Sequence, residues 1–217
     1  MVRKGLRVLG LFLLLYPMIS NGIAEKLQKN VILSYQNETN NLEEDQVKKM
    51  VEDAQIYNQM LYDNNKDVIK AGDYQALLNP MKNGVMGYIK IPKIGINLPI
   101  YHGTEEPELE KGIGHIEGSS LPIGGMNTHS LLAGHRGTPE AELFVGLGEL
   151  EEGDSFTVEI CGAKSVYRIC AIHTIKPDNI GALGIQQGRD LVSLITCTPY
   201  GINTHRLVVT GERKEAI

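Results

Sequence analysis

The 217-residue sequence contains no tryptophan and only three phenylalanines, and its basic residues do not outnumber its acidic ones. The net charge of −5 provides no broad basic surface, so nucleic acid is not an expected partner. Three cysteines cannot all pair with one another, which leaves at least one free thiol. The C-x-x-C and H-x-x-x-H pairs typical of zinc sites are also missing, and we predict no metal and no cofactor.

Hydrophobic residues make up 42% of the chain, enough for a substantial core, and 24 glycines provide many turns. Short apolar runs separated by turn residues follow one another through residues 85–213. This pattern favours a closed β-barrel over a sheet built from strand–helix–strand units. We therefore predict a mainly β catalytic or binding domain over residues 85–213, with short helices.

Residues 1–24 form a separate N-terminal segment. Three basic residues lie within the first seven positions, Val8–Ile19 then carries no charge, and the uncharged stretch continues to Ala24. About 20 apolar residues suffice to span a bilayer, and the basic flank predicts a cytoplasmic N-terminus. We expect a single-pass membrane anchor with the body outside the cytoplasm. A cleavable signal peptide is the alternative, although Ser20–Ala24 is a poor cleavage site.

Residues 25–84 are predicted to form a helical stalk and a possible lid. Asn37–Asn64 carries apolar residues at three- and four-residue spacings, which indicates a helix that docks one face on the body. Residues 64–84 lack such periodicity and include the turn signals Asn79-Pro80 and Asn83-Gly84. This part is either a spacer or a flap over a site.

The candidate reactive residues lie at the ends of predicted strands. Leu191–Thr196 and Leu207–Thr210 flank a turn-rich segment and predict two neighbouring strands. Cys197 ends the first strand and Arg206 begins the second, so a thiol and a guanidinium lie at the same end of the pair. His135 also follows a short apolar run. A cysteine and a histidine at strand ends, with a cation nearby, are typical of a thiol-nucleophile acyl transferase.

Each of these residues also has a purely structural alternative. Free cysteine is among the most buried residue types, and an arginine on a strand is usually a surface residue. On pattern alone, His129 and His205 compete with His135 for the role of base. Cys161 and Cys170 lie within the strands of a predicted hairpin, in a register that does not pair them, and we expect both to be apolar core residues.

Three separated motifs resemble the sortase family of cysteine transpeptidases. They are Leu194–Thr198, which is similar to the TLxTC signature, Asn203–Leu207, which is similar to the arginine strand, and Ala133–Gly137, which is similar to the histidine motif. The similarity extends over residues 87–211 and implies a closed sortase-type barrel of about eight strands with an N-terminal helical extension. Leu121–Gly125 and Cys197–Tyr200 further resemble class C, the pilin-polymerising sortases.

The resemblance implies a function and a set of roles. Cys197 would attack the Thr–Gly bond of an LPxTG-like sorting signal on a secreted protein, and His135 would protonate the leaving amine. Arg206 would stabilise the oxyanion. A pilin lysine would then resolve the thioester if the class C assignment holds, and a cell-wall peptide amine otherwise. Substrate contacts are expected from four further side chains, Thr196, Thr198, His129 and His205.

Two features depart from the class C pattern. Members of that class usually carry an Asp-Pro-aromatic triplet on a lid, and this chain has Asn79-Pro80-Met81 in that region. Many also have a C-terminal membrane segment, for which the sequence shows no apolar run. A housekeeping-type sortase, a barrel that acts mainly as a hydrolase, and a non-enzymatic surface binding barrel are therefore the alternatives.

Overall fold

The computed structural model describes residues 2–64, 74–138 and 141–213, with side chains from Leu15 onward. Three α-helices and eight strands account for most of this part of the chain. They are α1 Val2–Asn41, α2 Glu44–Tyr62, β1 Val85–Ile91, β2 Ile96–His102, α3 Glu106–Leu109, β3 Ile113–His115, β4 Thr128–Ala133, β5 Ser155–Ile160, β6 Ala163–Ile175, β7 Asp190–Thr198 and β8 His205–Arg213. Short 3₁₀ helices cover Pro92–Ile94, Val145–Glu149 and Pro177–Ala182.

The eight strands form a closed barrel in the order β1-β2-β3-β4-β7-β8-β6-β5. Pairing of β1 with β5 closes the barrel, so each of the eight described strands has a paired neighbour on both sides. The pairs β2–β3 and β4–β7 are parallel, and the other neighbours are antiparallel. The predicted fold class is confirmed: a mainly β, closed barrel with short helices and an N-terminal helical extension.

Side chains along β4, β7 and β8 alternate between two separate apolar clusters. Leu132, Leu194 and Val209 lie in one row across the three strands and are fully buried in the barrel core. The neighbouring residues Leu131, Ile195 and Val208 face outward, where Ile180 and Leu183 from the β6–β7 connection cover them. The outer face of these strands is therefore apolar and packs against the β6–β7 connection.

The two N-terminal helices are attached to the barrel by buried hydrogen bonds. The Tyr35 hydroxyl of α1 donates to the Met86 carbonyl at 2.8 Å and accepts from the Cys161 backbone N–H at 2.8 Å. Asn58 of α2 donates to and accepts from the backbone of Leu121, at 3.1 and 2.7 Å. Each contact satisfies backbone groups that would otherwise be buried without a partner.

The structure bears on the predicted membrane anchor only in part. α1 runs without a break through residue 24, where the predicted anchor ends. Most of the anchor, residues 1–14, lies outside the described side chains. Among the helices in the described part of the chain, none combines the length and the apolarity that crossing a bilayer requires.

Part of the predicted lid packs on the barrel. Residues 65–73 of the predicted lid lie outside the described residues. From residue 74 onward, Tyr74 and Leu78 are buried in the core. The ring nitrogens of His102 lie 2.9 and 2.6 Å from the carbonyl oxygens of Gly84 and Leu77. The described part, residues 74–84, is thus held against the strands.

The three cysteines are all free thiols, and the expectation of a core position holds for Cys161 but not for Cys170. Cys161 is buried in the core, although it lies in the turn between β5 and β6 with a positive φ of 48°, because β5 ends at Ile160 and β6 begins at Ala163. Cys170 is partly exposed at a bulge in β6, and its sulfur lies 3.5 Å from the Arg189 guanidinium. Cys170 is therefore not a core residue.

Three buried histidines have lowered pKa values. Burial lowers the pKa of His102, His115 and His129, and for His115 the pKa falls to about 4. His115 donates from Nε2 to the Ser120 carbonyl at 2.9 Å and accepts at Nδ1 from the Tyr74 hydroxyl at 2.8 Å. Both ring nitrogens are satisfied without a second proton.

We predict that the fold loses stability as the pH falls below neutral. The unfolded chain takes up protons at these histidines below about pH 6.5, whereas the folded chain resists protonation. Their contribution is therefore fully present above that pH and is lost as the pH falls, by up to about 1.4 kcal/mol per pH unit for each group. Denaturant unfolding at about pH 7 and about pH 5 measures this slope.

Replacing His115 should reduce that pH dependence. His115→Gln removes one titrating group, whereas His173→Gln, at an exposed position, is the matched control. The slope of the unfolding free energy against pH measures how many more protons the unfolded chain binds. It should fall by about one proton in His115→Gln and stay unchanged in His173→Gln. An unchanged slope in His115→Gln would contradict the assignment.

Candidate active site

The parallel pairing of β4 with β7 brings His135 and Cys197 to the same edge of the barrel. Ala133 pairs with Ile195, and the Gly134 N–H donates to the Ile195 carbonyl at 3.0 Å. His135 comes two residues after Ala133, and Cys197 comes two residues after Ile195. Since parallel strands advance together, the two residues come to the same end of this strand pair, and both side chains line one cleft.

Arg206 lies beside Cys197 on the next strand. The two residues are directly paired across the antiparallel strands β7 and β8. Directly opposite residues have Cβ atoms about 5 Å apart and side chains on the same face. The Arg206 Nη1 donates to the carbonyls of Asn203 and His205, each at 3.1 Å, which orients the guanidinium from within its own loop. A guanidinium held in this way can stabilise an oxyanion that forms near the thiol.

These three side chains open on a cleft of about 430 Å³. One wall comes from the β2–β3 connection, through Thr104 and Leu109, and the other from Ile180 in the β6–β7 connection. Ile195 forms part of the floor. The cleft is thus mainly apolar with a few polar groups at one end, the usual character of a site that binds a peptide or small ligand.

Glu106 contacts His135 and was not predicted from the sequence. Its Oε1 lies 3.2 Å from Nε2 of His135. Glu106 is one of four glutamates within residues 105–110, and no spacing distinguishes it from the other three. It precedes His135 by 29 residues, and only the folding of α3 over the end of β4 brings the two together.

Thr196 and Thr198 point away from the outer face on which Cys197 lies. Thr196 is buried, and its hydroxyl donates to the Gly134 carbonyl at 2.8 Å. The Thr198 hydroxyl accepts from Nη1 of Arg136 at 2.8 Å. Thr196 borders the cleft, but both hydroxyls are used to join the cysteine strand to the histidine loop. Direct substrate contacts were expected for both side chains. Thr198 is not among the described residues that line the cleft, and the contact of Thr196 with substrate stays a prediction.

His205 pairs with Thr198 and shares its orientation, opposite to that of its neighbour Arg206. Its Nδ1 lies 3.0 Å from the Thr204 hydroxyl. Among the described residues that line the cleft, His205 is not included. The predicted contact of His205 with substrate is therefore not supported by its position.

His129 lies far from the cleft. It lies four residues before Ala133, the last residue of β4 and part of the cleft lining, which corresponds to about 13 Å. Nδ1 donates to the Gly184 carbonyl at 2.9 Å and Nε2 accepts from the Ser193 hydroxyl at 2.8 Å. Burial lowers the pKa of His129. His129 thus anchors the β6–β7 connection, and it is not among the described residues that line the cleft.

The site contains the groups required for acyl transfer by a thiol. Cys197 supplies a nucleophile, His135 a proton donor and acceptor, and Arg206 a fixed cation. Among the described residues, no three histidine, cysteine or acidic side chains are grouped to bind a metal ion.

Comparisons with known proteins agree with this geometry. The family model described as Sortase domain matches residues 89–214. The crystal structure of sortase C1 from Streptococcus agalactiae is 45% identical, with a TM-score of 0.82, and the match covers 87% of this chain and all of that one. A structure of Clostridium perfringens sortase C with the C-terminal cell wall sorting motif is 38% identical, with a TM-score of 0.75, and the match covers 86% of this chain and 99% of that one.

A curated relative of another class is also similar. Sortase D of Bacillus subtilis strain 168 is 32% identical over 142 residues, which cover 64% of this chain and 69% of the relative. The matched family model covers more than half of the chain and includes Cys197, His135 and Arg206. The chain therefore belongs to the sortase family of cysteine transpeptidases, and the solved structures that match it group it with the class C sortases.

Proposed function

We propose that this sortase cleaves an LPxTG-like sorting signal between Thr and Gly and transfers the acyl group to a lysine amine of a pilin subunit. The observation that carries the proposal is the placement of Cys197, His135 and Arg206 at one barrel edge, around one cleft. The match to the structure of sortase C with the C-terminal cell wall sorting motif supports the substrate class. Pilus assembly is the role that the class C resemblance favours.

The first half of the reaction forms a thioester. The Cys197 thiolate attacks the threonine carbonyl, and the oxyanion that develops lies beside the Arg206 guanidinium. The carbon–nitrogen bond breaks as protonated His135 gives its proton to the leaving glycine amine. The apolar walls formed by Leu109 and Ile180 suit the leucine and proline of such a signal.

The second half transfers the acyl group to an amine. The incoming amine attacks the thioester carbonyl and gives a proton to His135, and the carbon–sulfur bond breaks to restore the thiolate. A pilin lysine is the acceptor that we propose. A cell-wall peptide amine, as in a housekeeping sortase, is the second candidate, because the catalytic geometry serves either amine equally well.

We also propose that the chain acts at the outer side of the cell membrane, held by a single N-terminal segment. The support is the sequence alone, where Val8–Ile19 follows a basic flank. Sorting signals belong to secreted proteins, so a catalytic domain outside the cytoplasm would meet its substrate.

The full-length chain should cleave a quenched LPxTG-type peptide, and cleavage should depend on three side chains. Cys197→Ala should abolish cleavage because the nucleophile is lost. His135→Ala and Arg206→Ala should each lower kcat/KM by at least about 100-fold, the usual contribution of a proton-transfer group or an oxyanion donor. Fluorescence release measures the rate.

Cys170→Ala is the matched control, because Cys170 is the other partly exposed thiol of the described chain. Its activity should equal that of the unmodified protein. Equal activity of Cys197→Ala and the unmodified protein would refute the assignment of the nucleophile.

A competition between amines identifies the acceptor. With the same sorting peptide, a pilin-type peptide containing one lysine and a cell-wall peptide amine are supplied together, and mass spectrometry measures both ligated products. We expect the lysine product to predominate. Predominance of the cell-wall product would assign a housekeeping role, and release of free acid without either product would assign a hydrolase.

Thr196→Val should lower kcat with little effect on KM. The substitution preserves shape but removes the hydrogen bond to Gly134, which holds the histidine loop against β7. A hydrogen bond of about 1–1.5 kcal/mol corresponds to a loss of about tenfold. Thr196→Ser should retain most of the activity. A raised KM with unchanged kcat would instead indicate direct substrate binding by Thr196.

Membrane attachment should depend on residues 8–19. Cell fractionation of the full-length chain should recover it with membranes, and deletion of residues 8–19 should release it. A shortened mature chain in the culture medium would instead show that the N-terminal segment is a cleaved signal peptide.

A further inference from the structure

Glu106 is the acidic residue that reaches the proposed proton-transfer group. Its Oε1 lies 3.2 Å from Nε2 of His135, and the structure shows no hydrogen bond between His135 and Cys197 in the described part of the chain. The side chain of His135 is 28% exposed and that of Glu106 is 68% exposed. An ion pair with this exposure contributes little to folding stability, so any role of the contact concerns the reaction.

The backbone of Glu106 is fixed by its surroundings. Glu106 is the first residue of α3, and Pro107 follows it with a restricted φ. The Glu106 carbonyl accepts from the Glu110 N–H at 3.0 Å, and Leu109 packs into the cleft wall. The carboxylate therefore extends toward His135 from a short, ordered segment that also shapes the cleft.

We propose that Glu106 is a positioning residue that fixes Nε2 as the N–H nitrogen of His135, so that Nδ1 exchanges protons with the amines. A carboxylate is only an acceptor, and Nε2 must carry a hydrogen to bond to it. Nε2 then keeps its hydrogen whether His135 is neutral or charged. This inference rests on the proposed function for the identity of the reacting amines.

Each proton then has a defined place. During thioester formation, the Cys197–carbon bond forms, the carbon–nitrogen bond breaks, and the Nδ1 proton passes to the leaving amine. During transfer, the carbon–nitrogen bond to the incoming amine forms, its proton passes to Nδ1, and the carbon–sulfur bond breaks. Glu106 takes up no proton in either step and keeps its hydrogen bond to Nε2.

The neighbouring glutamates do not share this contact. Glu105 and Glu108 line a separate polar cavity beside Lys82 and His102. Neither hydrogen-bonds to His135 in the described structure, where Nε2 of His135 bonds to Glu106 alone. Glu108→Gln therefore provides a matched control on the same short helix.

Steady-state kinetics of the full-length chain with the quenched sorting peptide tests the kinetic consequence. Glu106→Ala should lower kcat by about tenfold or more, with KM changed by less than about twofold, because the ring is misdirected while the cleft is intact. Glu106→Gln, which keeps an acceptor oxygen, should recover part of the loss. Glu108→Gln should match the unmodified protein.

Nitrogen NMR of the histidine-labelled full-length chain tests the tautomer without any substrate. His135→Gln identifies the His135 signals by their disappearance. In the neutral ring, Nε2 should have the shift of a protonated nitrogen and Nδ1 that of an unprotonated one. In Glu106→Ala this preference should diminish, whereas Glu108→Gln should retain it.

The two measurements separate this inference from the proposed function. Unchanged kcat in Glu106→Ala, or an unprotonated Nε2 in the unmodified protein, would overturn the role of Glu106. If the unmodified protein does not cleave the peptide, the proposed substrate is wrong, and the NMR result alone still decides whether Glu106 sets the tautomer.

Discussion

The register of β4, β7 and β8 is the constraint on which the site depends. Leu132, Leu194 and Val209 are buried in one row of the core, and each contributes about 1.5–3 kcal/mol by burial. A slip of one residue would expose this row and turn Cys197 toward the interior. The packing of the core thus decides which face presents the thiol and the guanidinium, although no core residue takes part in the chemistry.

Beyond the last residue pair of β4 and β7, side-chain hydrogen bonds hold the histidine loop against β7. Beyond Ala133 the backbone of the histidine loop leaves the sheet, and the Thr196 hydroxyl and the Arg136 guanidinium then join the loop to β7. These contacts lie on the opposite side of β7 from the reacting sulfur. The hydroxyls of Thr196 and Thr198, two residues that were expected to bind substrate, therefore support the site from behind.

The sequence was sufficient to place the reactive residues at strand ends but not to bring the strands together. Cys197 and Arg206 are separated by one turn, so their proximity follows from a local hairpin. The parallel pairing of β4 with β7 joins segments about 60 residues apart, and no local pattern encodes it. The sequence could not show that the His129 ring is buried under the β6–β7 connection, and nothing marked Glu106 among four nearby glutamates.

The Asn79-Pro80-Met81 triplet, which departs from the class C pattern, is attached to the body of the protein. Asn79 accepts from the Gly84 N–H at 3.1 Å, and Met81 packs against the cluster around Tyr35. In the described part of this segment, the Asn-Pro-Met triplet is thus used to attach the chain to the barrel. Arg206 is held by carbonyls of its own loop. The described walls of the cleft therefore come from α3 and the β6–β7 connection, and α3 is also the element that brings Glu106 to His135.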